Sequence, residues 1–198
     1  MFETFIASFL LGKIKHYKIH FLFFSWTFYP VLLTQCVLIF FQITVFFNNY
    51  FFIKYASALK TAIILSFLFP IIVYKLYKPA LVGSGSIIVG TLLNKFVIGQ
   101  NGGKMPVFPS FSYITGYVKS NTFLSVNDLH TLGSASSHFK FLSDYIDLGY
   151  CILSPGDILI HFFSFLMLFF TLKAVNLYFD TANTTPKLKD DKNVRIIN

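Results

Sequence analysis

Between Asp128 and His161 the chain gathers the side chains that could do chemistry. Asp128, Asp144, Asp147 and Asp157 alternate there with His130, His138 and His161. Two carboxylates close together form a hydrolytic device, because like charges push their pKa values apart and one keeps a proton. Asp144 and Asp147 with Asp157 are the candidates for that role. Carboxylates mixed with imidazoles also suit a metal ion, with His130, His138 and His161 as candidate ligands. However, His130 and His138 lie eight positions apart, and the stretch from Asp128 to His161 has no H-x-x-x-H or H-E-x-x-H pair. No metal and no cofactor is assigned on this evidence.

Asp157 also has a structural explanation. Ser154-Pro155-Gly156-Asp157 reads as a helix start, with Ser154 as N-cap, Pro155 at the first helical position and Asp157 at the third. Its negative charge suits a helix N-terminus. His161 falls one turn later, on the same helix face.

These polar groups must be carried by a strongly apolar chain. Of its 198 residues 55% are hydrophobic and 12% charged, about half the charge that a soluble domain needs for its surface. The apolar residues come in runs, at 2–12, 21–47, 56–74, 80–98 and 158–178. The fold class expected is an all-α polytopic integral membrane protein. It has about five transmembrane helices within a membrane domain 1–180, one large extracytoplasmic loop at 99–155, and a polar cytoplasmic tail at 181–198. The first run is short for a hydrocarbon core of about 30 Å. Pro30 is placed to kink the second, and no cleaved signal peptide is read at the N-terminus.

Lysine and arginine set the orientation. With Lys13–Lys18 in the cytoplasm, ten of the sixteen basic residues fall inside. Lys54, Lys60, Lys95, Lys104, Lys119 and Lys140 remain outside or near the outer interface. The net charge of +8 follows from this bias and does not call for nucleic acid as a partner. Lys60 and Lys95 sit within apolar runs and are expected to snorkel to the headgroups. Cys36, in an apolar run, and Cys151, in a loop, exclude a cysteine metal cluster and make no disulfide expected.

Gly83, Ser84, Gly85, Ser86 and Gly90 invite close helix packing, so the fourth run is expected at the bundle centre. Thr34, Gln35, Gln42 and Thr44 are then expected to bond across to it. In the outer loop, Gly102 and Gly103 form a turn that tolerates positive φ, and Pro106 and Pro109 hold an extended stretch after it. Phe108, Phe111, Tyr113 and Tyr117 are expected on the outer leaflet.

Asn101-Gly102-Gly103-Lys104-Met105-Pro106-Val107 and Ser154-Pro155-Gly156-Asp157-Ile158-Leu159-Ile160 resemble two signatures of an uncharacterised family of small bacterial multi-pass membrane proteins. The resemblance spans roughly residues 1–178, departs at Pro155 and at the serines around 134–137, and implies a bacterial plasma-membrane protein without offering an activity. Phe-rich, AT-biased composition suits an organelle-encoded inner membrane protein equally well. Asp144 or Asp147 with Asp157 is also similar to the aspartate pair of lipoprotein signal peptidase, although that family's Asn-x-x-Asp-Arg and Asn-x-Ala-Asp patterns are absent. The function expected first is a non-enzymatic subunit or accessory of a larger membrane assembly, in contact with lipid and a membrane protein partner. A membrane hydrolase with an outer aspartate pair is the alternative, and a small-solute transporter the third.

Overall fold

The computed structural model describes residues 1–119 and 129–194, with side chains as far as Thr181. Helix dominates, and four segments are long and apolar enough to cross a membrane: Trp26–Phe46, Ile53–Val73, Tyr77–Gln100 and Pro155–Thr181. The shortest of these has 21 residues, about 30 Å at 1.5 Å per residue. The helices are α1 (Phe2–Ile14), α2 (Tyr29–Phe46), α3 (Ala56–Ser66), α4 (Leu68–Val73), α5 (Tyr77–Gln100), α6 (Phe111–Thr115) and α7 (Pro155–Val194).

The axis of the fold is α7, not α5. Helix α5 lies antiparallel to it, and Gly83 and Gly90 share one face of α5. A Cβ on Gly83 would stand 2.7 Å from Phe163, and one on Gly90 would collide with the backbone oxygen of Gly156. The opposite face of α5 is unpacked: Leu81, Val82, Ile88 and Leu92 are exposed, and a Cβ on Gly85 would meet nothing. Only half of the small-residue cluster is therefore an interface within the chain. The expectation of a central α5 treated the whole cluster as one contact surface.

Helix α1 runs parallel to the first half of α7. Ser8 Oγ donates to the carbonyl of Phe165 at 3.1 Å, and the Lys18 N–H donates to Asn176 Oδ1 at 2.7 Å. Beyond α1 the chain makes short 3-10 turns at Ile19–Phe24 and Trp26–Phe28 before α2 begins. Pro30 thus stands in the first turn of α2, where its missing N–H costs no hydrogen bond, rather than at a kink in mid-helix. Helix α2 packs on α3. Thr34 and Thr44 bond carbonyls of their own helix, not α5, and Gln35 is buried with neither amide atom bonded among the described residues. The third apolar run divides at Phe67 into α3 and α4, with Pro70 in the first turns of α4. Phe28, Phe67, Ile63, Met167, Leu168 and Leu172 fill the core where these elements converge on α7. The last helix continues to Val194, well past the expected limit of the membrane run at 178.

At the end of the bundle where α2 stops and α7 starts, the loop forms a small cap. Strand β1 (Met105–Val107) pairs in parallel with β2 (His130–Leu132). On its other side, Val107 bridges to Asp144. A two-residue hairpin, β3 (Ile146–Asp147) with β4 (Ile152–Leu153), leads into α7.

Candidate functional site

The turn after α5 orders the cap. Gly102 and Gly103 adopt φ of 64° and 81°, and the Gly103 N–H closes back on the Ile98 carbonyl at 2.9 Å. Asn101 then reaches the far side of the loop. Its Oδ1 accepts from the His138 N–H at 2.8 Å, and its Nδ2 donates to the His138 carbonyl at 3.0 Å. Pro106 stands in β1 with its carbonyl accepting from Asp144 N–H at 3.1 Å. Being a proline it donates nothing to the strand, but it needs only to accept here.

The three candidate aspartates have separate environments. Asp147 has both oxygens engaged: Oδ2 accepts from the N–H groups of Ser110 and Ser112 at 2.8 Å each. Oδ1 accepts from the Ser112 hydroxyl and the Gly149 N–H. These bonds hold its carboxyl below the usual range despite some burial. Its work is to start α6 and hold the β3–β4 turn.

Asp157 is also saturated. The Asp157 N–H donates to Ser154 Oγ at 3.0 Å, and the Ser154 N–H donates to Asp157 Oδ2 at 3.3 Å, the reciprocal pattern of a capping box. Asn94 of α5 completes the group. Its Nδ2 donates to Asp157 Oδ1 at 3.2 Å, and its Oδ1 accepts from Ser154 Oγ at 2.8 Å.

Asp144 differs from both. It is 3% exposed, and its Oδ2 stands 3.5 Å from His130 Nε2, too far for a good hydrogen bond but close enough for strong electrostatic contact. Its Oδ1 is buried without a hydrogen-bond partner among the described residues. Burial raises the carboxyl to about 7; the field of His130 and Lys60 opposes that rise and the charge of Asp157 adds to it. The Val107–Asp144 bridge places Asp144 beside β1, and β1's other neighbour β2 carries His130.

Asp144 and His130 line a cavity of about 250 Å³ between the cap and the membrane helices. Leu38, Phe41, Gln42 and Val45 of α2 form one wall, with Ile53, Ala56 and Lys60 beside them. Val107, Tyr117, Val118, Ile152 and Leu153 close it from the cap, and Met1, Cys151 and His161 complete it. The Cys151 thiol is pushed up to about 12, by burial first and by Glu3 second. It is therefore no thiolate nucleophile for a Cys–His mechanism. Burial also raises the Tyr117 hydroxyl to about 12, keeping it a neutral donor and acceptor.

The candidate metal ligands are dispersed. His130 faces Asp144, whereas His138 is held through its backbone by Asn101. His161 Nδ1 is 2.6 Å from Glu3 Oε1, a close polar contact that ties α1 to α7, and Tyr150 donates to the other Glu3 oxygen at 3.2 Å. Among the described residues no group of three or more His, Cys, Asp or Glu is placed to hold a metal ion. Asp128 lies outside the described residues.

Glu3, Lys60 and Asn94 are the site residues that reading the sequence undervalued. Asn94 stands one turn beyond Gly90, a polar residue on the small-residue face, and that spacing was the available signal. Lys60 is exposed on α3 as a snorkelling lysine would be, yet it also lines the cavity.

No curated protein and no solved structure matches the chain. The model of a family of unknown function, DUF5317, covers residues 18–169, from the turn before α2 through the cap and into the middle of α7. The chain is a member of that uncharacterised family, DUF5317.

Proposed function

We propose that the chain is a multi-pass membrane protein of the bacterial plasma membrane that holds a small amphipathic molecule at its outer face, as the binding component of a larger membrane assembly. In this reading α1 is a fifth membrane segment, the cap at 99–155 is extracytoplasmic and the C-terminus is cytoplasmic. Lipid and a membrane protein are the partners. The observation that carries the reading is the seam position of the cavity. Its α2 and α3 walls belong to apolar spans, its other walls to the polar cap, and the buried Asp144 lies between them. A mainly apolar cavity with a few converging polar groups is the usual form of a small-molecule site. An occupant must be apolar at one end and polar at the other.

Hydrolysis by an aspartate pair has less support, since Asp147 and Asp157 spend their oxygens on backbone and side-chain partners. Native mass spectrometry of protein extracted gently from its own membranes tests the proposal. The expected spectrum shows a bound amphiphile and a stoichiometric protein partner. A bare monomer would overturn it.

A further inference from the structure

We infer that the cavity takes the anionic head of a single-chain amphiphile, with Lys60 and His130 as the cationic side of the head site and Asp144 as its hydrogen-bonding side. The inference rests on the cavity reading above and adds the chemistry of the occupant.

Size comes first. At ~30 Å³ per water-sized group, 250 Å³ holds about eight such groups. A two-chain phospholipid does not fit inside that volume. A head with the first part of one chain does, and the rest of that chain would leave along the α2–α3 wall, where Leu38, Phe41 and Ala56 offer an apolar surface.

Charge comes second. Lys60 Nζ has no ion pair with a described carboxylate, and it stands close enough to Asp144 to act on its ionisation. The other titratable groups around Asp144 are His130 from β2, Asp157 and His161 from α7, and Cys151 and Tyr117 from the cap, with Glu3 of α1 beyond His161. Asp157 is engaged by Asn94 and Ser154, and Glu3 by His161. Cys151 and Tyr117 are neutral at physiological pH. Met1 also lines the cavity, but its ammonium is paired with Glu3 at 2.7 Å, which leaves Lys60 as the cation on the wall without a described carboxylate partner. A cationic head would meet it directly, and a neutral head would leave it uncompensated.

The unpartnered oxygen comes third. A buried polar atom without a partner is destabilising, and Asp144 Oδ1 is such an atom among the described residues. Protonated, the carboxyl donates to an anionic head, and the head completes its hydrogen bonding. Carboxylate and phosphate heads share this chemistry.

Titration of the purified full chain in detergent, followed by native mass spectrometry, tests the inference. The probes are decanoate, decyl phosphate, decanol and decyltrimethylammonium. Decanoate or decyl phosphate is expected to bind at least about tenfold tighter than decanol, a difference of about 1.4 kcal/mol. Lys60→Gln should remove that preference, and Lys95→Gln, at an exposed lysine on α5, should leave it unchanged. The tighter of the two anions identifies the head as carboxylate or phosphate. Decanol or decyltrimethylammonium binding as tightly as the anions would overturn the anionic head and leave the cavity reading standing. Failure of all four probes would overturn both.

Discussion

Asn94 in the last third of α5 and Asp157 in the first turn of α7 are joined by a 3.2 Å hydrogen bond, at the level where Gly90 and Gly156 bring the two backbones together. The bond joins a helix cap to a helix interface. Asn94 holds the cap's two side chains, Asp157 and Ser154, while the cap itself satisfies backbone N–H groups that would otherwise be orphaned. The start of α7 is therefore held against α5, and β4 delivers the cap into that start. Whatever fixes this junction also fixes the floor of the cavity.

Asn94→Ala should then cost about 1–3 kcal/mol, because it leaves a partly buried hydroxyl and carboxylate short of partners. Asp157→Ala should cost about 0.5–2 kcal/mol as a lost cap. The two changes should be less than additive, since they share one network. Thermal unfolding of both single variants and the double variant in detergent measures this. Fully additive losses would mean that Asn94 and Asp157 stabilise the junction independently.

The glycines of α5 make a paired expectation. Gly90→Ala puts a methyl group against the Gly156 carbonyl and the side chains of Leu159 and Ile160. Overpacking of this kind costs typically 1–3 kcal/mol. Gly85→Ala meets nothing and should be neutral or stabilising by up to about 1 kcal/mol through helix propensity. If the Gly85 variant instead loses a binding partner in native membranes while folding normally, that face of α5 is an interface between proteins.

The long apolar runs were legible because every turn of a lipid-facing helix must be apolar and backbone bonds must close within the helix. The start of α7 was legible for a similar reason: Ser154, Pro155 and Asp157 act on their own backbone, so local spacing is enough. What the sequence does not carry is which residues meet across the cap. Asp144, Asp147 and Asp157 look alike in a list of residues. They differ because a parallel strand pair brings His130 next to the Asp144 segment, while Ser112 and Asn94 occupy the other two. The strand pairing of Met105 with His130 crosses 25 positions and the contacts of Ser112 and Asn94 cross 35 and 63, and periodicity does not reach that far. Choosing α5 as the central helix failed for a related reason: the small residues cover two faces, and only one has a partner in the chain.

Protonation of Asp144 should be visible in stability. The folded carboxyl titrates at about 7, against 3.8 for the ordinary group. Between these values the native state keeps a proton that the unfolded state has lost. The stabilisation from Asp144 is therefore present at low pH and is lost as pH rises through about 7. Asp147 acts in the opposite sense, stabilising above 3.8 and losing that contribution as pH falls through its lowered value. Unfolding midpoints from pH 5 to pH 8 should decline less steeply in Asp144→Asn than in the wild type. Parallel curves would show that Asp144 ionises normally in the native protein.

Orientation can be read by thiol labelling, because the native cysteines leave little background. Cys151 has its thiol pushed up to about 12, so on the order of 10⁻⁴ or less of it is reactive thiolate near pH 7.5. Cys36 is exposed on α2, inside an apolar span, where a charged reagent does not enter. In intact cells a membrane-impermeant maleimide should label Ser134→Cys, whose position is exposed on the cap. It should label Asn183→Cys only after permeabilisation, as the proposed cytoplasmic C-terminus requires. The reverse pattern would turn the molecule over and move the Asp144 cavity to the cytoplasmic face. Its ligand would then have to come from the inner leaflet.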